Sequence, residues 1–173
     1  QLARVLLLGR VDHSVRETLT LHPRQCQCTP LWLASYQGHT AVVRALVSFS
    51  ADTEAIGSSR PQQVANLRGW EGTSLWVAAM RGLGEVVIAL ANARANMEAF
   101  GCTDAARGTA LWFAAYKEDS NMVEILLDLR ANPMAEGFHD AMRGPALWFA
   151  AYRGRAELAT TLVEAKAPVD CAG

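Results

Sequence analysis

An excess of either charge, a long apolar run and a paired set of cysteines are all missing from this 173-residue chain. Lys and Arg total 16 against 17 Asp and Glu, for a net charge of −1. A nucleic-acid partner calls for a basic stripe to neutralise phosphates, and none is visible, so no nucleic acid is expected among the partners. No apolar stretch approaches the ~20 residues that a membrane span needs. The run from Val5 to Leu8 reads as a short piece of helix. A secretory signal and an initiator Met are both absent, so targeting cannot be read. The four cysteines are Cys26, Cys28, Cys102 and Cys171. Cys26 and Cys28 stand closer than the usual zinc-knuckle spacing, and His22 alone does not complete a site, so neither metal nor cofactor is expected. Nothing argues for an oxidising compartment. An intracellular setting, cytoplasmic or organellar, is expected rather than secretion.

Catalytic signatures are lacking too. His13, His22, His39 and His139 are scattered over loops and turns, with no nucleophile set beside any of them. A glycine-rich phosphate loop, a zincin helix and a nucleophile elbow are all absent. No catalytic residue is nominated and no enzyme is expected.

What is there is one phrase, four times: Thr29-Pro-Leu-Trp-Leu-Ala-Ser, Thr73-Ser-Leu-Trp-Val-Ala-Ala, Thr109-Ala-Leu-Trp-Phe-Ala-Ala and Pro145-Ala-Leu-Trp-Phe-Ala-Ala. The starts lie 44, 36 and 36 residues apart (73−29, 109−73, 145−109). Such a period implies a stacked repeat, because one short unit cannot bury its own apolar face. An alanine follows each start by 22 residues, at Ala51, Ala95, Ala131 and Ala167. Length therefore varies only in the connector beyond it, as in rigid helix pairs joined by adjustable loops.

Within a copy, Thr29, Thr73 or Thr109 stands where a helix N-cap is wanted, and Pro30 suits a first helical position. Leu31/Ala34, Leu75/Ala78, Leu111/Ala114 and Leu147/Ala150 fall three apart on one buried face. Gly38, Gly82 and Gly154 end this first helix in a left-handed cap. Repeat three has Glu118 there, at a cost of about 1 kcal/mol if the conformation is kept. A second apolar-faced helix follows, beginning near Ala41, Glu85, Asn121 and Glu157.

These residues resemble the ankyrin repeat, whose signature is Thr-Pro-Leu-His-x-Ala in a helix–turn–helix with a β-turn. The resemblance implies an all-α solenoid with long hairpin loops: residues 1–28 a partial repeat and connector, then repeats at 29–72, 73–108, 109–144 and 145–173. Residues 2–15 look like the tail of the partial repeat. The motif's His is Trp in every copy, at Trp32, Trp76, Trp112 and Trp148. In the family that position lies at the repeat–repeat contact, which implies an indole ladder whose N–H groups each need an acceptor.

The connectors lengthen the repeat beyond the family period of about 33 residues. Asp104/Arg107 and Asp140/Arg143 recur three apart, and Asp capping a helical turn with Arg paired across it is the expectation. The longest connector, residues 56–72, carries Pro61 and Trp70, and is either an order-on-binding element or a flap over the groove.

The resemblance also implies a non-catalytic protein–protein interaction scaffold. Its groove would be lined by hairpin tips and by the outward side of the first helices: Leu33, Tyr36 and Gln37; Val77, Met80 and Arg81; Phe113, Tyr116 and Lys117; Phe149, Tyr152 and Arg153. Aromatics with neighbouring cations are what protein interfaces use as anchors. Two other roles fit the same resemblance: an assembly subunit held on a large complex, perhaps a membrane one, and the regulatory segment of a longer enzyme.

Overall fold

The threonine caps set where each helix pair begins. Thr29 Oγ1 accepts from Trp32 N at 3.1 Å, and Thr73 and Thr109 accept from Trp76 N and Trp112 N at 3.3 Å each. Pro145 stands at the same place with extended backbone and no side-chain cap. The computed structural model describes residues 17–20, 25–59, 69–167 and 169–170. The expected partial repeat at residues 2–15 lies outside the described residues.

Among the described residues eight helices stand in four pairs: α1 (Pro30–Gln37) with α2 (Thr40–Ser48), α3 (Ser74–Met80) with α4 (Gly84–Asn92), α5 (Ala110–Tyr116) with α6 (Ser120–Asp128), and α7 (Ala146–Tyr152) with α8 (Ala156–Glu164). Within each pair the helices pack on each other, and each first helix packs on the first helix of the next pair. Leu31, Leu75, Leu111 and Leu147 are buried with their partner alanines, and Leu46, Leu90, Leu126 and Leu162 meet them from the second helices. One apolar core therefore runs the length of the stack.

Gly38, Gly82 and Gly154 take the left-handed conformation that the sequence assigns them, at φ 79°, 71° and 67°. Glu118 keeps it too, at φ 63°. Its carboxylate meets Arg155 at 2.6 Å and Arg153 at 3.8 Å, so an inter-pair ion pair offsets the strain. A second left-handed position closes every pair: Ser50, Arg94, Arg130 and Lys166. The following alanine N–H reaches back to the last buried leucine, as from Ala131 N to Leu126 O at 2.9 Å. That fixes the landmark alanines in space.

The connectors are not helical, and the all-α expectation is corrected there. Among the described residues eight strands form one antiparallel sheet in chain order: β1 (Glu17–Thr20), β2 (Gln25–Cys28), β3 (Gly57–Ser58), β4 (Glu71–Gly72), β5 (Gly101–Cys102), β6 (Ala106–Gly108), β7 (Glu136–His139) and β8 (Met142–Pro145). Hairpins pair Glu17 with Cys28, Gly57 with Gly72, Gly101 with Gly108 and Gly137 with Gly144. Neighbouring hairpins pair through Gln27 with Ser58, Glu71 with Cys102 and Arg107 with Phe138. The expected turn of helix capped by Asp140 is thus a hairpin, and Arg143 hydrogen-bonds Glu136 across it at 2.6 Å. Glycine is what permits the sheet to lie on the helices. A Cβ on Gly57, Gly101 or Gly137 would stand 2.4, 2.1 and 2.2 Å from the indoles of Trp32, Trp76 and Trp112.

Candidate protein-binding face

Each indole is the base of the site as well as part of the core. Nε1 of Trp32, Trp76 and Trp112 donates to the carbonyls of Gly72, Gly108 and Gly144 at 2.9, 3.1 and 3.0 Å. The acceptor that each buried indole needs comes from the hairpin before the next helix pair. One turn further along the helix a tyrosine stacks on the indole. Tyr36 lies 5.4 Å from Trp32, Tyr116 5.3 Å from Trp112 and Tyr152 5.5 Å from Trp148, all within 9° of parallel.

The next helix pair then places a cation over the tyrosine. Arg81 lies 4.6 Å above Tyr36, and Arg153 5.3 Å above Tyr116. Met80 takes the tyrosine's place in the second pair, and Lys117 Nζ donates to its carbonyl at 2.6 Å. Indole, ring and cation thus form a column at the junctions of the first and second pairs and of the third and fourth. Tyr36 and Tyr116 are half-buried, Arg81, Lys117 and Arg153 are exposed, and Tyr152 is 63% exposed.

Part of the expected stripe faces elsewhere. Phe113 and Phe149 are each only 2% exposed and Met80 5%. Phe113 is wedged edge-on between Trp76 at 5.0 Å and Trp112 at 5.1 Å, and Phe149 between Trp112 at 4.7 Å and Trp148 at 4.9 Å. The residue directly after the tryptophan points along the stack axis toward the preceding pair, where a neighbouring helix covers it. Leu33 is half-buried against the core and Val77 fully buried in it, while Gln37 is exposed. The expectation of an exposed apolar stripe is therefore corrected for Val77, Met80, Phe113 and Phe149.

Three contributors lie outside the expected stripe, one of them, Trp70, in the connector expected as an order-on-binding element or a flap over the groove. His139, from β7, meets the Tyr116 ring at 4.9 Å. Trp70 sets its edge 6.1 Å from Tyr36, and Ser59 Oγ accepts from Trp70 N at 2.9 Å, so the base of the long connector lies on the first column. Residues 60–68 between them lie outside the described residues. The third contributor is the hairpin glycines. Their signal was present in the sequence: Gly57, Gly101 and Gly137 each follow a tryptophan by 25 residues (57−32, 101−76, 137−112).

The hairpin sheet has an outer face as well. Ile56, Phe100, Met134 and Phe138 are 45%, 41%, 58% and 38% exposed. Arg107 lies 5.7 Å from the Phe100 ring and Arg143 5.3 Å from Phe138. Between the third and fourth pairs a notch of about 300 Å³ is lined by Glu118, Ser120, Gly154, Arg155 and Leu158. Its Glu118 and Arg155 satisfy each other. Among the described residues no group of three or more His, Cys, Asp or Glu side chains is placed to hold a metal ion. Among the same residues no helix is long and apolar enough to cross a membrane.

Comparison with known families bears on the same helix pairs. The family model described as Ankyrin repeats (3 copies) matches residues 75–172, and that described as Ankyrin repeat matches residues 26–58. The chain belongs to the ankyrin repeat family. Ankyrin repeats are in general non-catalytic modules of protein–protein interaction. The ankyrin helix pairs here carry the tryptophan ladder between them, and a sheet runs along their hairpins. A search of curated proteins returns no match.

Proposed function

We propose that this ankyrin array is a non-catalytic interaction scaffold that grips a protein partner in its concave groove and along its hairpins. The observation that carries this reading is the pair of cation-capped columns, Trp32–Tyr36–Arg81 and Trp112–Tyr116–Arg153. Their rings are held before any partner arrives, which lowers the ordering cost of binding. Arg81 and Lys117 sit exposed beside them, where acidic groups of a partner would meet them. Affinity capture from the native source, followed by mass spectrometry and calorimetry with the captured protein, tests the assignment. Arg81→Ala should weaken binding by on the order of tenfold with little change in melting. Unchanged affinity for both Arg81→Ala and Lys117→Ala would move the contact away from the groove.

The outer sheet face supports a second reading, a subunit held permanently in a larger assembly. Exposed Phe100 and Phe138 beside Arg107 and Arg143 offer a further contact surface. A fixed partner set that survives extensive washing favours the assembly; exchangeable partners favour the scaffold.

A further inference from the structure

Arg81, Lys117 and Arg153 hold one position in three successive helix pairs, as the residues that cap α3, α5 and α7 at their C-termini. Each leans across its junction onto the preceding pair. Arg81 lies over the Tyr36 ring, Lys117 Nζ donates to the Met80 carbonyl, and Arg153 lies over the Tyr116 ring. These contacts hold three exposed cations in single file, and none of them neutralises charge. Among the described residues no carboxylate lies within ion-pair distance of Arg81 or Lys117. Arg153 has Glu118 at 3.8 Å, but that carboxylate is held by Arg155 at 2.6 Å. The four first helices contain no acidic residue of their own.

Successive first helices pack side by side, and helices in contact lie about 8–10 Å apart. The file therefore offers one positive charge at about that interval. A matching series of carboxylates must advance the same distance along one side of its own backbone. A polyproline II chain does so, because with three residues per turn and about 3.1 Å per residue every third position returns to one side after about 9.3 Å. A β-strand does not: its same-side neighbours stand about 6.6 or 13.2 Å apart, and its third residue points away. Arg81 makes no hydrogen bond among the described residues, so it has more donors than one carboxylate uses. The carbonyls of an extended chain, all unbonded within the chain, can take the remainder.

We propose that this file of cations is the docking track for an extended acidic segment of a partner protein, with a carboxylate at every third residue. The inference rests on the groove as the contact face and specifies what lies in it. Three carboxylates in that spacing meet Arg81, Lys117 and Arg153 in turn. Asp140, which stands 3.5 Å from His139, and its counterpart Asp104 are exposed at the hairpin tips and repel the segment from the sheet side.

Fluorescence anisotropy with the full chain and two synthetic peptides of one composition tests the spacing. One is a tandem Glu-Pro-Ser peptide, with Glu at every third residue; the other is an isomer with Glu at every second. At low salt the tandem peptide should bind on the order of fivefold more tightly than the isomer. Arg81→Ala and Lys117→Ala should each remove most of that preference. Glu118→Gln should strengthen binding of the tandem peptide, because it takes away the acid beside Arg153. The proposal is overturned if the two peptides bind alike, or if neither binds at about 1 mM. It is also overturned if a helical peptide with Glu at heptad spacing, or a single-stranded oligonucleotide of equal charge, binds more tightly than the tandem peptide. In any of these cases the groove itself stands if the captured partner still requires Arg81 and Lys117, and falls with the proposal if that partner is indifferent to both.

Discussion

Adding one methyl group at Gly137 should damage this fold more than most surface substitutions can. The alanine Cβ would stand 2.2, 2.4 and 2.5 Å from three atoms of the Trp112 ring. Carbon contacts are comfortable at about 3.5–4.0 Å, so more than an ångström must be recovered somewhere. The ring cannot supply it. Its N–H is tied to Gly144 O at 3.0 Å, Tyr116 stacks on one side, and Phe113 and Phe149 press its edges. β7 cannot supply it either without loosening its pairing to both β6 and β8. Overpacking of this kind costs about 1–3 kcal/mol, and a lost indole hydrogen bond adds about 1. We expect about 2–4 kcal/mol for Gly137→Ala by urea unfolding, or a fall in Tm of roughly 10 °C. Gly154→Ala is the internal control. Its φ of 67° is strained but nothing lies within 4 Å, so about 1 kcal/mol is expected. Combining Gly137→Ala with Trp112→Ala should cost little more than Trp112→Ala alone, a coupling of about 3 kcal/mol. Additive energies, or a Gly137→Ala cost no larger than that of Gly154→Ala, would refute the close contact between glycine and indole.

Other expectations follow from the same geometry. Trp112→Ala should cost about 3–5 kcal/mol, read by denaturant unfolding, because it empties the junction between two helix pairs. Thr109→Ala should cost about 1 kcal/mol and show first as faster amide exchange in α5, since the buried hydroxyl caps Trp112 N. Glu118→Gly should change stability by less than about 1 kcal/mol, because relief of left-handed strain offsets the loss of a half-exposed ion pair with Arg155; a thermal melt in low and high salt checks it. Tyr116→Ala should lower the melting temperature more than Tyr152→Ala, since Tyr116 touches Trp112, Phe113, Phe149 and His139 while Tyr152 is largely exposed.

The helix pairs were legible in the sequence because their signals are local. A threonine cap, a leucine and an alanine three apart on one face, and a glycine at the turn all fall within ten positions of one another. The sheet was not legible. Strands such as Gly101–Cys102 and Glu71–Gly72 are two residues long, too short for any alternation of apolar and polar positions, and they pair with a connector from another helix pair. The groove was half legible. Helical spacing grouped Phe113 with Tyr116 as one outward side, but in a stack the flank of a first helix faces another helix rather than water. The open side is reached by the tyrosines one turn after the tryptophan, Tyr36, Tyr116 and Tyr152, and by the residues at the next position, Gln37, Arg81, Lys117 and Arg153. Arg81 and Lys117 were found because charge at that position has nowhere buried to go.

The contact between indole and glycine also bears on how such a chain grows and shrinks. The tryptophan and the glycines that receive it lie in the same repeat, Gly101 and Gly108 with Trp76 and Gly137 and Gly144 with Trp112, so each 36-residue block carries a complete plug and, behind it, its complete socket. Duplicating or excising a whole block leaves each remaining plug facing a matching socket, with no compensating substitution elsewhere. A change confined to one half of the joint enjoys no such tolerance. Gain or loss of whole blocks is thus the easy path for this architecture, and drift at Trp32, Trp76 or Trp112 without a matching change in the glycines is the hard one.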